Sequence, residues 1–445
     1  MKTQLARLKR LELHAQTFPR EEYTSLFHHI YAEETLRCCA LELNENSAKG
    51  SDGVSVKEYT SELDDKLPSL SQRLINQSYK PQASRRVYIP KAGSRKKRPL
   101  GIPCVEDKIV QKACKEVLEP IYEAKFCDYS FGYRPKYHCH DALDSLGKTI
   151  QQRNVNYVVE ADIKGFFDNV NHSILIELLQ YRIKDKRVIR LIQRMLKAGI
   201  MEDGITTAST EGTPQGSILS PLLSNIYLHY CLDMWFKLLF KPQCQGEVYF
   251  FRYADDFIAC FQYKTDASEY LQQMEARLKR FHLEIEPSKT QLIEFGRYAQ
   301  NNAKWRGLPK PSTFDFLGYT HYCSKTRFGV FKLSRRTSKK KLTSKLKEYN
   351  IWLKKNRSKL GKHRIFQTSV NKARGHLNYF AINDNLKRCN NFLHEMMKLL
   401  FKWLNRMSQR TAYTWDGYVK ALEWYGWPSV RRKVNLSPFR KLNVE

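Results

Sequence analysis

The sequence predicts an α+β chain: a split βαβ-type antiparallel sheet with helices on one face, followed by a helical, strongly basic module. Three observations carry this. Between residues 155 and 295 the order reads strand, helices, hairpin, helix, strand, which is the order of a split βαβ unit. Beyond residue 330 the apolar spacing becomes helical. Charge is also lopsided: residues from His321 to Glu445 hold 30 basic and 6 acidic side chains, a net of +24, while the first 320 net only +7. At 445 residues and 42% hydrophobic content, two or three domains with real cores are expected.

Residues 1–50 read as polar helix, ending at the turn cluster Lys49-Gly50-Ser51-Asp52-Gly53. A second helix over 55–80 stops at Pro81. Arg85 to Pro90 alternates like a strand, Ala92-Gly93-Ser94 turns, and Leu100 to Ile102 returns, predicting a hairpin with a cationic tip. Residues 105–126 are helical by periodicity. Val155 to Ile163 reads as a buried strand running into Asp162. Helices follow at His172 to Tyr181 and Arg187 to Ala198, then one long helix from Ser217 to Phe240. Glu247 to Phe261 reads strand, turn, strand, with Asp255 and Asp256 in the turn. A helix at 266–281 and strands near 283–286 and 291–295 complete the pattern. In the basic module, Leu342, Leu346, Tyr349 and Leu353 form one apolar stripe, and Lys339, Lys340, Lys341, Lys345, Lys347, Lys354 and Lys355 crowd the remaining positions. A second apolar helix is expected over Asn391 to Leu404.

The basic excess points to a phosphate polyanion as partner, against a merely soluble face or a membrane-surface patch. Eleven cysteines without any CxxC pair support neither a zinc ribbon nor a redox motif, and reduced intracellular thiols are expected. The N-terminal MKTQLARLKRLELHAQ has no apolar core, and no run is long enough to span a bilayer, so a soluble, cytoplasmic protein without membrane contact is expected.

Tyr253-Ala254-Asp255-Asp256 lies between two apolar strands, where adjacent carboxylates are costly unless neutralised. A divalent cation with hard oxygen ligands does that, and Mg²⁺ suits; an ordinary hairpin turn, where Asp is common, is the plain alternative. Asp162 ends a buried strand, and a parallel neighbouring strand position would bring it beside Asp255. Two-metal phosphoryl transfer needs such a cage. Glu160 shares a face with Asp162 by strand alternation and competes with it as a ligand; Asp168 is the weaker candidate.

These strings resemble the reverse transcriptase family, nearest to the group II intron-encoded reverse transcriptase/maturase proteins. SDGVS (51–55), YIPKAGSRKKRPLGIP (88–103), SFGYRP (130–135), ADIKGFFDNVNH (161–172), GTPQGSILSPLLSNIYL (212–228), RYADDF (252–257), Lys289 after Pro-Ser, FLGY (316–319) and RGHLNYF (374–380) stand in the family's order. The 401–428 stretch is also similar to the family's C-terminal region. Chance does not deliver nine ordered strings. The resemblance implies a right-hand polymerase: an N-terminal helical extension (1–50), fingers (51–154), a palm (155–320, with part of the fingers) and a helical thumb or maturase (X) domain (321–445). No His- and Cys-rich endonuclease module is expected after the thumb, and Ser217 stands where relatives often carry a second Gly.

What the resemblance implies residue by residue is an RNA-directed DNA polymerase using two Mg²⁺ ions, with Mn²⁺ as substitute. Asp162, Asp255 and the Ile163 carbonyl would hold the ions, and Asp256 would support the site and the primer end. Phe167, five residues past Asp162, resembles a steric gate that excludes a 2′-hydroxyl, with a plain core aromatic as the alternative. Lys91 and Arg98 resemble triphosphate-holding residues. Gln215 would touch the nucleotide sugar, Lys289 would neutralise or protonate the leaving pyrophosphate, and Gly318 would let the primer backbone approach. Lys339, Lys340 and Lys345 would grip the template–primer duplex. Partners would be an RNA template, a DNA or RNA primer, deoxyribonucleoside triphosphates and structured intron RNA. Competing readings are a splicing maturase whose polymerase activity is secondary, an RNA-dependent RNA polymerase, and recruitment to defence or repair. His138-Cys139-His140 reads as structural, since three adjacent residues cannot all face one ion.

Overall fold

A computed structural model describes residues 2–90, 97–202, 205–207, 211–213, 215–406 and 412–437. Its strands form three sheets. The first joins β1 (Ser84–Pro90) and β2 (Lys97–Ile102), antiparallel, to β4 (Ile200–Glu202) and β5 (Ile205–Thr207), with β1 and β4 parallel. The central sheet runs in the order β6 (Val248–Tyr253), β7 (Asp256–Phe261), β3 (Tyr157–Asp162), β8 (Gln291–Glu294), antiparallel throughout. The third orders β11 (Phe331–Thr337), β10 (Tyr319–Lys325) and β9 (Phe314–Phe316), also antiparallel. The architecture is mixed α+β, its central and third sheets antiparallel throughout, as the sequence leads one to expect.

Because side chains alternate along a strand, the central sheet feeds two cores. Val159, Ala161, Phe250, Phe257, Ala259 and Phe261 face one core, shared with the N-terminal helices, the helix Val105–Glu123 and the helix Lys264–Arg280. Val158, Phe251, Ile258 and Cys260 face a second, built with the helix Cys139–Gln152, the third sheet and the helices Lys362–Phe380 and Leu386–Leu404. Helices therefore cover both faces of the sheet, where one covered face was expected. The period-2 pattern shows that a face is apolar but not what covers it. Among the described residues no helix is long and apolar enough to cross a membrane.

Three local expectations differ from the structure. The helix expected from 217 to 240 begins at Ser220 and is not α-helical throughout: Ser220–Leu228 is, but His229–Asp233 and Phe236–Phe240 are wider π turns, and the first of them ends at the buried Asp233. Residues 283–286 form no strand. Ile285 bridges Ile163 and β8 pairs further along the same edge of β3, but a 3₁₀ turn, Pro287–Lys289, interrupts them, since proline has no N–H to give a ladder. Residues 321–337 are most of a β-hairpin, β10 and β11 joined by a turn at 326–330, rather than helix, so the division at 320 falls inside β10; the basic helices begin at Lys339–Asn356, capped by Ser338. The apolar stripe from Leu342 belongs to that helix and says nothing about the strands before it.

Candidate active site

Asp162 is the last residue of β3 and Asp256 the first of β7. The strands run antiparallel, so the end of one meets the start of the other and the two residues are direct partners across the ladder. Directly opposed residues of an antiparallel pair project to the same face. The expected parallel alignment of Asp162 with Asp255 is corrected accordingly: Asp256 stands opposite Asp162, and Asp255 occupies the β6–β7 turn after Ala254, whose φ of 57° bends the chain. A hairpin returns its second strand antiparallel to its first, which fixes this outcome once β7 pairs with β3.

The turn is anchored from below. Arg252, fully buried within an apolar strand, pairs with Asp233, itself fully buried, through Nε–Oδ1 at 2.8 Å and Nη2–Oδ2 at 2.6 Å. The same guanidinium donates to the Ala254 carbonyl at 3.1 Å, to Asn225 Oδ1 at 3.0 Å and to Ser130 Oγ at 2.7 Å. Burial works against the Asp233 carboxylate, and the Arg252 charge and hydrogen bonds nonetheless hold its pKa below the usual value. From the side, Gly132 presses on the turn so closely that a Cβ there would lie 2.2 Å from the Ala254 nitrogen. The Phe131 N–H donates to the Arg252 carbonyl, and the Arg252 N–H to that of Tyr129, each at 2.8 Å. Sequence reading missed Arg252, Asp233, Ser130 and Asn225. The available signal was an arginine inside Val-Tyr-Phe-Phe-Arg-Tyr, which needs a buried anion.

The interrupted edge of the sheet brings in Lys289. Its 3₁₀ turn sits beside the end of β3, with the Glu286 N–H donating to the Asp162 carbonyl at 2.8 Å, and the Lys289 ammonium is ion-paired to Asp162 Oδ2. Burial lowers the Lys289 pKa, but the hydrogen bond its ammonium donates to Asp162 and the charges of Asp162 and Asp256 more than offset it and leave it raised. The carboxyl of Asp256 is pushed up to about 7 by the desolvating cleft walls, then by the charges of Asp255 and Asp162. Asp255 is also raised, by burial first and by Asp162, against the lowering pull of Arg98 and Lys289. Three carboxylates thus crowd one spot with less positive charge than they need. Hard oxygen donors in that state fit a divalent cation, although among the described residues no three His, Cys, Asp or Glu side chains are already gathered at ligand separation. Glu160, the competing acid, accepts from Gln291 Nε2 at 2.7 Å and from the Asp315 N–H at 3.4 Å.

These groups open onto a cleft of about 550 Å³ that also receives Arg98, Ile163, Phe167 and Gln215. Ile163 lines the cleft although the residue as a whole is buried. Phe167 sits in the 3₁₀ turn Phe166–Asp168 after Gly165, half-buried, its carbonyl accepting from the Thr213 N–H at 2.7 Å. Gln215 is tied to β2 because the Gly101 N–H donates to its carbonyl at 2.7 Å, and Gly216 packs on the Gly101 carbonyl where a Cβ would come within 2.5 Å. Lys91 lies outside the described residues. Gly318 (φ 82°) borders an adjoining cavity of about 180 Å³ with Asp162, Asp256 and Lys289. Lys339 and Lys340 line a wider one of about 1280 Å³ together with Arg336 and Lys347. Lys345 is not among its lining residues; its ammonium sits over the Phe380 ring, 4.8 Å from the centroid. His138 caps the helix Cys139–Gln152 and His140 Nε2 meets the Tyr379 carbonyl at 2.9 Å, so the two histidines serve different partners.

The family described as reverse transcriptase (RNA-dependent DNA polymerase) matches the chain over residues 89–321, more than half of its length. The group II intron-encoded protein LtrA of Lactococcus lactis subsp. cremoris is 40% identical over 231 residues, covering 52% of this chain and 38% of that protein. The protein YkfC of Escherichia coli (strain K12) is 35% identical over 237 residues, covering 47% and 62%. The nuclear intron maturase 1, mitochondrial, of Arabidopsis thaliana is 30% identical over 97 residues, covering 21% and 13%. The chain spans less than two thirds of the length of each of these relatives.

Proposed function

The chain belongs to the reverse transcriptase (RNA-dependent DNA polymerase) family, and from that premise we propose that it extends a DNA or RNA primer on an RNA template with deoxyribonucleoside triphosphates. The observation that supports this reading is one cleft fed by five separate segments: Arg98 from the first sheet, Asp162 to Phe167 from the end of β3, Gln215 from the turn before Ser220–Leu228, Asp255 and Asp256 from the hairpin, and Lys289 from the sheet edge.

In this reading Asp162, Asp255 and the Ile163 carbonyl hold the ions, while Asp256 keeps the negative field concentrated at the primer end. Two Mg²⁺ ions, or Mn²⁺ in their place, supply charge neutralisation at the attacking 3′-hydroxyl oxygen and the departing pyrophosphate. Arg98, with Lys91, grips the triphosphate bidentately and as a point charge. Phe167 fills the space a 2′-hydroxyl would need, and Gln215 lies against the sugar. Lys289 exchanges Asp162 for the phosphate oxygens and delivers a proton to the leaving group. Gly318 lets the primer backbone approach, and Lys339 and Lys340 draw the duplex toward the wide cavity; Lys345 serves this only by adding to the field. The fingers are then centred on the first sheet, the palm on the central sheet and the thumb on the helices from Lys339 onward.

The test is Asp255→Ala in the full chain, measuring cDNA synthesis and RNA binding together. Synthesis should be lost with RNA affinity unchanged, and undiminished synthesis would end the proposal. A second role, binding structured intron RNA to assist splicing and mobility, draws on the net +24 of the last 125 residues and on relatives named as intron-encoded proteins and maturases.

A further inference from the structure

One aromatic residue in the cleft has no part in the chemistry above. Tyr133 has a backbone φ of 58°, in the left-handed region that a ring-bearing residue rarely adopts and that Gly or Asn accepts far more readily. Both neighbours hold it there. Gly132 is pressed against the Asp255 turn, and its carbonyl accepts from Asn225 Nδ2 at 2.6 Å. Arg134, buried, donates to the Ser130 carbonyl at 2.7 Å, to that of Cys127 at 3.0 Å and to Glu123 Oε2 at 2.9 Å. Between these two fixed points the chain turns the phenol outward, 46% exposed, into the wall of the cleft that holds Asp162, Phe167 and Asp255. The ring meets Phe167 edge-on, with centroids 6.5 Å apart and planes at 75°, while Phe166 stands on Phe167 at 5.4 Å. Backbone strain of this kind persists where the surroundings over-determine it, and it collects at sites of function.

We propose that Tyr133 is a specificity-determining residue of the nucleotide pocket: its ring braces Phe167 edge-on, so that the two rings together close the space beside the sugar 2′-carbon. Phe167 alone is anchored on one flank by Phe166; without Tyr133 its other flank is open, and the ring can swing away from an incoming ribonucleotide. Burial, together with the Asp255 charge, raises the phenol pKa, so the hydroxyl stays neutral and adds no repulsion toward a triphosphate. The assignment rests on the polymerase reading above.

The test compares kcat/KM for a deoxyribonucleotide and its ribonucleotide, on an RNA template and DNA primer, for the unmutated chain, Tyr133→Phe and Tyr133→Gly, with thermal unfolding of each. Tyr133→Phe should hold the discrimination ratio within about twofold. Tyr133→Gly should lower it tenfold or more while the unfolding temperature stays level or rises, because glycine releases the strain; a merely structural tyrosine would lower stability and leave the ratio alone. Should Tyr133→Gly incorporate neither nucleotide, Tyr133→Asn, which also tolerates this backbone, supplies the ratio. An unmutated chain that makes no DNA fails the polymerase reading itself. One that is selective, with a glycine variant equally selective, overturns only the role of Tyr133. A phenylalanine variant as permissive as the glycine one also overturns it, by moving the effect to the hydroxyl.

Discussion

Replacing Arg252 by Met separates the stability of the buried ion pair from its role in holding the Tyr-Ala-Asp-Asp turn. Arg252 makes two hydrogen bonds to Asp233 and one each to Asn225, Ser130 and the Ala254 carbonyl, all in a region with no solvent contact for either charged partner. Removing one member of such a pair leaves an uncompensated buried charge, which destabilises by about 3–5 kcal/mol. His229 stands near the orphaned carboxylate, its Nδ1 3.7 Å from Asp233 Oδ2. Replacing both by apolar residues of similar volume, Arg252→Met with Asp233→Leu, removes the charge problem, and the double variant should recover most of the loss. Activity should not recover with it. The Ala254 carbonyl loses its donor in either variant, and a misplacement of about 1 Å at a phosphoryl-transfer centre lowers turnover roughly 100-fold. Urea denaturation gives the stability arm through a double-mutant cycle, and single-nucleotide primer extension gives the activity arm. A single variant destabilised by less than about 1 kcal/mol would refute the energetic argument. A double variant with unimpaired turnover would refute the anchoring argument.

Three further outcomes follow from the same geometry. Phe167→Ala should raise ribonucleotide use relative to deoxyribonucleotide use by about tenfold or more, read as a kcat/KM ratio, the scale on which one well-placed contact of about 1–3 kcal/mol discriminates; an unchanged ratio would return Phe167 to the core. Gly132→Ala pushes a Cβ to 2.2 Å from the Ala254 nitrogen, so primer extension should fall steeply while overpacking lowers stability by about 1–3 kcal/mol; full activity would show that the turn tolerates the shift. Asp107 is buried against Tyr79 and the Gln82 N–H, and burial pushes its carboxyl up to about 6 from an ordinary 3.8. A folded-state pKa raised above the unfolded one gives stability that is complete below pH ~4 and lost as pH rises through about 6, at most about 3 kcal/mol for the two-unit difference. Asp107→Asn should flatten the slope of stability between pH 4 and 7, and an identical slope in both proteins would contradict the assignment.

What the sequence made legible was local or repeated. The apolar runs flanking Asp255 and Asp256 announced a hairpin, and β6 and β7 pair as a hairpin must. The buried strand ending at Asp162 and the cationic hairpin of β1 and β2 were readable for the same reason. Strand direction across the sheet was not, because period-2 patterning is identical for parallel and antiparallel neighbours, and so Asp256 rather than Asp255 stands opposite Asp162. The anchors of the turn were hidden by distance along the chain. Asp233, Ser130 and Asn225 lie 19, 122 and 27 residues from Arg252, and nothing in any one segment tells which buried polar side chain will find which. The break at Pro287, which puts Lys289 beside Asp162, was visible only as a proline between two short apolar runs. Helical spacing counts Lys345 with its neighbours, and it could not show that the Lys345 ammonium lies over the Phe380 ring, because that ring comes from another helix.

The central claim is that Asp162 and Asp255 serve one ion shell. A crystal of the full chain with RNA template, DNA primer, an incoming nucleotide analogue and Mn²⁺, measured at the manganese absorption edge, tests it directly. The account predicts anomalous density within about 2–2.5 Å of carboxylate oxygens from both residues, the range of hard-cation ligand distances. Manganese bound by Asp162 or Asp255 alone, or elsewhere in a complex that still extends its primer, would contradict it.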